Sequence, residues 1–155
     1  MIKVLFVCYG NICRSPMAEF LFKDFVKKKG KESEFYIESA ATSSEEVGNL
    51  VYPPARKILN ALGIDCSDKR ARKIVLSDYD KFDYIIGMDN MNVRAIRNFF
   101  SGDKENKIFK LFDFGESGVS RDVADPWYTG DFDKTYCDIN EGLNGFYKYL
   151  EDKAK

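Results

Sequence analysis

The sequence predicts an α/β fold built around a parallel sheet. Short runs rich in β-branched and aromatic residues alternate with stretches of helical periodicity, the order in which strands and crossover helices build such sheets. No internal repeat and no Pro/Ser-rich linker interrupts the alternation. The 155 residues are therefore expected to form one domain, residues 1–155, around a single core.

Each element has its own warrant. Ile2-Lys3-Val4-Leu5-Phe6-Val7 reads as a first strand, about residues 2–8, ending at Cys8. A helix over about 15–29 follows, with Met17, Phe20, Leu21, Phe25 and Val26 on one broad apolar face. Its end, Lys27-Lys28-Lys29-Gly30-Lys31, reads as solvated, the lysines complementing the helix dipole. A second strand is expected over about 35–40. The polar loop from Thr42 to Tyr52 then serves either as a connector or, if it lies beside the first loop, as a substrate contact.

A helix over about 53–62 starts at Pro53-Pro54, carries Ile58, Leu59 and Leu62, and stops at Gly63. Ser77 can cap a short turn. Strands are expected over about 83–88 and 107–112, separated by a helix over about 90–100 with Met91, Ala95, Ile96 and Phe99 inward. The last helix, about 132–153, spaces Ile139, Leu143, Phe146 and Leu150 along one side.

Composition narrows the function. The formal net charge of −1 gives no global basic field for nucleic acid or an anionic membrane. No apolar stretch approaches the roughly 20 residues that span a bilayer. The N-terminal apolar run is too short for a signal peptide, so a cytoplasmic location with reduced thiols is expected. The four cysteines, Cys8, Cys13, Cys66 and Cys137, form no C-x-x-C pair, and there is no histidine. Zinc is not expected. Cys-His and Ser-His nucleophile pairs are excluded, so any nucleophile must be activated by other means.

Cys8-Tyr9-Gly10-Asn11-Ile12-Cys13-Arg14-Ser15 offers such a means. A cysteine ends a buried strand, a short loop can turn its amides inward, and an arginine closes the loop where a helix begins. That arrangement suits a phosphate dianion with a nucleophile beneath it. The helix terminus and Arg14 favour a thiolate, loop amides bind the phosphoryl oxygens, and the guanidinium holds two of them. Gly10 removes a side chain where the backbone must curve around the ligand. Ser15 can donate to the cysteine sulfur or cap the helix.

Spacing alone is weak, because Cys66-Ser67-Asp68-Lys69-Arg70-Ala71-Arg72 also matches C-x5-R. That copy lacks the glycine, the preceding strand and the following Ser-Pro, so Cys66 reads as structural. A poor leaving group needs a proton donor, and Asp125 in Asp125-Pro126-Trp127-Tyr128 is the candidate. Pro126 stiffens the loop and the aromatics supply apolar walls that would raise the carboxyl pKa. The same dipeptide can also simply start a surface turn. Cys13 either forms a protective disulfide with Cys8 under oxidation or packs as a small apolar residue.

With these residues in place, the chain resembles the low-molecular-weight protein tyrosine phosphatase family along essentially its whole length. The resemblance rests on V-C-x-G-N-I-C-R-S-P, Ser39-Ala40-Ala41-Thr42-Ser43, Phe82-Asp83-Tyr84-Ile85-Ile86-Gly87-Met88-Asp89 and Asp125-Pro126-Trp127-Tyr128. It implies a three-layer sandwich with a four-stranded parallel sheet, order 2-1-3-4, flanked by helices on both faces. It also implies a cysteinyl-phosphate intermediate with no metal and no cofactor. Cys8 would be the nucleophile, Arg14 the phosphate clamp and Asp125 the acid, later the base for water. Tyr9, Gly10, Asn11, Ile12, Cys13, Ser15 and Ser39 would form or brace the phosphate loop, with Cys13 as the redox partner of Cys8.

The expected partners are a phosphotyrosine-containing protein or peptide and inorganic phosphate as product, with no nucleic acid and no membrane. Glu45, Trp127 and Tyr128 would line the substrate cleft, and Tyr128 is a candidate for phosphorylation. Glu45 stands where many members carry an aromatic, which points toward basic peptides. Lys69 falls near the place of a bracing histidine. Ile12 resembles tyrosine-directed members, whereas phosphoarginine-directed relatives carry threonine there. The alternatives are a protein-arginine phosphatase, or an oxyanion-binding or redox-sensing module without catalysis. Arsenate reductases share the loop, but Cys66 and Cys137 lack their close pairing.

Overall fold

The computed structural model describes residues 1–115 and 119–155. Four parallel strands form one sheet: β1 (Ile2–Cys8), β2 (Phe35–Ala41), β3 (Tyr84–Gly87) and β4 (Ile108–Lys110), in the order β2-β1-β3-β4. The helices are α1 (Arg14–Lys28), α2 (Pro53–Ala61), α3 (Asp78–Lys81), α4 (Asn90–Phe99), α5 (Pro126–Thr129) and α6 (Phe132–Lys153). Both the sheet order and the flanking helices agree with the expected three-layer sandwich.

Strand alternation divides the core in two. Val4, Phe6 and Cys8 of β1 face one cluster, where Met17, Leu21 and Phe22 of α1 meet Leu59 of α2 and Ile139, Leu143 and Phe146 of α6. Leu5 and Val7 face the other, with Ile85, Ile96 of α4 and Ile108. Phe22 is fully buried and packs edge-on against Phe6, with centroids 5.9 Å apart. Burial of one such ring stabilises by roughly 1.5–3 kcal/mol. Residue 22 lies beside the face predicted for α1, so that face is wider than the sequence pattern suggests.

Several boundaries differ for local reasons. Asp83 precedes β3 because its carboxylate accepts the Lys3 amide at 2.9 Å. β4 ends at Lys110, whose amide donates to Asp113 and opens a 3-10 turn over Leu111–Phe114. That turn sits against Gly142 and Gly145 of α6; a Cβ at Gly145 would lie 2.6 Å from the Phe114 carbonyl oxygen. Ser77 makes no capping hydrogen bond. Asp78 instead accepts the Val75 amide and pairs with Arg72, which anchors α3. Gly63 has φ +76 and ends α2 in the expected left-handed conformation. Leu62 is largely exposed, and Met91 points outward from α4, against the inward placement its spacing suggests. Among the described residues no helix is long and apolar enough to cross a membrane.

The sheet order sets the site. β1 is central and pairs with β2 on one side and β3 on the other. The chain crosses to opposite sides from β1, so a crevice opens beyond the carboxyl ends of β1 and β3. Cys8 stands at that end.

Candidate active site

The loop between β1 and α1 turns at Asn11, which holds φ +59. Gly10 itself does not occupy the left-handed region, and its part is the side chain it lacks. Its missing side chain admits Glu46, whose Cγ would lie 3.3 Å from a Cβ there. Asn11 holds its less common conformation because its side-chain amide is fully engaged. Its Nδ2 donates to Ser15 Oγ (2.8 Å) and Ser39 Oγ (2.9 Å), and its Oδ1 accepts the Arg72 amide (3.1 Å).

Three donors converge on the Cys8 sulfur: the Asn11 amide at 3.3 Å, the Ser15 amide at 3.4 Å and the Ser15 hydroxyl at 3.0 Å. The Ser15 hydroxyl accepts from Asn11 and has one proton to give, either to the sulfur at 3.0 Å or to the Ala40 carbonyl at 3.4 Å; a thiolate, which can only accept, takes it. Ser15 does not cap α1. The position before the helix is Cys13, without a side-chain cap, and Ser15 lies in the first turn. Cys8 and Cys13 are both buried free thiols. Burial pushes the Cys13 thiol up to about 12, and the neighbouring Cys8 adds to the shift.

Arg14 is buried at 3% exposure and held by carboxylates. Its Nη1 donates to Asp89 Oδ2 at 2.7 Å and to the Val123 carbonyl at 3.0 Å; its Nη2 reaches Asp125 Oδ2 at 3.3 Å. Burial works against its charge, but Cys8, Asp125 and Asp89 prevail and hold its pKa above the ordinary value. Asp89 also caps α4 in a reciprocal box with Asn92. That box places the carboxylate behind the guanidinium.

Asp125 reaches the site through a pinned segment. The Val123 amide donates to the Met88 carbonyl, and the Thr135 hydroxyl holds the Ala124 carbonyl. Asp125 caps α5 by accepting the Trp127 amide at 3.0 Å, with Pro126 at the first helical position. Asp125 therefore does start a turn, and its second carboxylate oxygen also faces Arg14. Trp127 packs edge-on against Tyr52, centroids 5.4 Å apart, and remains 59% exposed; Tyr128 is 85% exposed.

A cleft of about 820 Å³ gathers these groups. Cys8, Tyr9, Gly10, Ile12, Cys13 and Arg14 form its floor. Glu45 stands on one wall, and Asp125, Trp127 and Tyr128 on another. Asn11 and Ser39 lie behind the floor as part of the brace. Asp89 and Met91 also line the cleft and were missed from the sequence, and Glu46 lines it from the loop read as a connector or a substrate contact. Asp89 had a usable signal, an aspartate after an apolar strand with asparagine three residues later.

The brace continues outward. Ser39 Oγ donates to Glu19 Oε1 at 2.6 Å, and Lys23 holds the other carboxylate oxygen. Lys69 Nζ donates to the Ser39 carbonyl at 2.8 Å and stands 3.5 Å from Glu19. Burial lowers the Lys69 pKa, opposed by the Glu19 charge. The second C-x5-R segment binds no loop of its own: Cys66 is buried in the core, while Lys69 and the Arg72 amide support the first loop from behind.

Known proteins carry the same arrangement of sequence and fold. The family model described as "Low molecular weight phosphotyrosine protein phosphatase" matches residues 3–155. The low molecular weight protein-tyrosine-phosphatase YfkJ of Bacillus subtilis is 42% identical over 142 residues, covering 92% of this chain and 91% of that protein. A low molecular weight phosphotyrosine protein phosphatase of Schizosaccharomyces pombe is 39% identical, covering 96% of this chain and 97% of the relative. The crystal structure of YfkJ superposes with a TM-score of 0.95 at 37% identity, covering 100% of this chain and 98% of the other.

Proposed function

The chain belongs to the low molecular weight phosphotyrosine protein phosphatase family, and from that premise we propose that it hydrolyses phosphotyrosine in proteins or peptides through Cys8, Arg14 and Asp125. The observation that carries the assignment is the convergence of three donors on Cys8 Sγ, with Arg14 and Asp125 facing one another at 3.3 Å across the same cleft.

The phosphoryl group enters with its oxygens on the loop amides and on Arg14. The Cys8 thiolate attacks phosphorus from the side opposite the tyrosyl oxygen. As the S–P bond forms, the P–O bond breaks, and Asp125 passes its proton to the leaving phenolate. Spreading negative charge meets donors already in place, so no reorganisation is needed at that moment. Asp125, now a carboxylate, takes a proton from water while the water oxygen attacks phosphorus. The S–P bond breaks, Cys8 leaves as a thiolate steadied by Ser15, and inorganic phosphate departs.

Cys13 lies in the same loop. A peroxide converts the Cys8 thiolate to a sulfenic acid; attack by Cys13 sulfur then forms the disulfide and releases water. Further oxidation of Cys8 is thereby blocked.

The roles are separable by substitution. Cys8→Ser is expected to abolish turnover of aryl phosphates. In the first turnover, Asp125→Ala should slow release of a poor leaving group by about 10²–10⁴-fold while sparing release of an activated one, because only the former needs a proton. An equal loss for both ester types would remove Asp125 from the acid role.

A further inference from the structure

On the basis of the phosphatase reading, we propose that Glu45 and Glu46 make the cleft mouth select phosphotyrosine flanked by cationic side chains, with Tyr9 holding Glu45 in place. Among the described residues, those lining the cleft carry four carboxylates, on Glu45, Glu46, Asp89 and Asp125, against the one guanidinium of Arg14. Arg14 already bridges Asp89 and Asp125 at the floor. The substrate phosphate brings further negative charge to the same place. Glu45 and Glu46 therefore stand at the rim without a lining cation to offset them.

Their positions are tied to the catalytic loop. Tyr9 follows the nucleophile directly, is half exposed, and its hydroxyl donates to Glu45 Oε1 at 2.7 Å. That hydrogen bond to Glu45 raises the phenol pKa above its ordinary value, so Tyr9 keeps the proton it donates. The Ser43 amide and hydroxyl both donate to the Tyr9 carbonyl, at 3.1 and 2.9 Å, which fixes the strand of chain that carries Glu45. Glu46 sits over Gly10 and accepts from Asn49. A peptide whose phosphotyrosine reaches Cys8 must pass both carboxylates. Lysine or arginine beside the phosphotyrosine meets them, whereas an acidic neighbour is repelled.

The pairs are exposed, so each is worth a modest factor, roughly two- to fivefold in kcat/KM, and salt screens it. The test uses three phosphotyrosine peptides that differ only in flanking Lys, Ala or Glu, assayed at low and high salt. Wild-type protein should rank them Lys above Ala above Glu, and the ranking should compress at high salt. Glu45→Gln/Glu46→Gln should flatten it, and Tyr9→Phe, which frees Glu45, should weaken it. Thermal melting of each variant confirms folding. A flat or reversed wild-type ranking overturns the inference, as does a ranking that survives in the double glutamine variant. Those outcomes leave the phosphatase reading intact. Absence of turnover on all three peptides and on a small aryl phosphate overturns that reading and the inference with it.

Discussion

Asn11 is where a single side chain decides the most. Its φ of +59 is unfavourable for a residue with a Cβ, and three hydrogen bonds from one amide hold it there. Asn11→Ala removes all three: the Arg72 amide loses its acceptor, and the buried Ser15 and Ser39 hydroxyls each lose a donor while keeping Cys8 and Glu19. Orphaned buried groups cost about 1–3 kcal/mol each, so a clear fall in thermal stability is expected, together with weaker inhibition by inorganic phosphate. Melting curves and phosphate inhibition constants check both. Retained phosphate affinity would separate Asn11 from the shape of the loop.

At this scale the sequence points to residues that the fold gathers: Cys8, Arg14 and Asp125, picked out by chemical type and by a context of strand, glycine and proline that spacing alone lacks, line one cleft. Glu46 and Met91 are not picked out individually, because surface positions on a loop and a helix carry no period that points to a cleft. Met91 even fits the apolar spacing of α4 while projecting outward.

Among the elements, the segment from Cys66 to Ile74 changes most from its sequence reading. It looks like a failed copy of the phosphate loop, yet it ties three pieces together. Lys69 reaches β2 and Glu19, the Arg72 amide reaches Asn11, and the Ala71 amide holds the Asn49 carbonyl of the loop that carries Glu45. Such long-range bonds leave no mark in local pattern.

Lys69→Met should cost about 2 kcal/mol, because it leaves Glu19 buried with Lys23 as its remaining cation. Adding Glu19→Gln should recover part of the loss, since the uncompensated charge is gone. Denaturant melts of the two single variants and the pair measure that coupling; simple additivity would show that Lys69 and Glu19 do not act together. Other element-level differences have equally local causes. Ser77 fails as a cap because its own backbone is already helical, at φ −67 and ψ −15. β4 stops early because Asp113 captures the Lys110 amide.

Across the whole molecule, the sheet order β2-β1-β3-β4 does the positioning. It centres β1, opens a crevice at its carboxyl end, and lets a segment more than a hundred residues away in sequence deliver Asp125 to Arg14. The alternation of strands and helices revealed the fold class, and the family resemblance supplied the order. Close approaches such as Gly145 against Phe114 were invisible, since a glycine in a helix looks the same whether or not another backbone abuts it.

In the proposed mechanism Cys8 carries the phosphoryl group between substrate and water. Asp125→Ala lacks the base for the second step, so it should accumulate the intermediate when given an activated aryl phosphate. Acid quenching within the first turnovers, followed by peptide mass analysis, should find one phosphoryl group on the peptide containing Cys8, at close to one per protein. A phosphoryl group on any other residue, or released phosphate without a labelled Cys8 peptide and with full turnover in Cys8→Ser, would contradict the account.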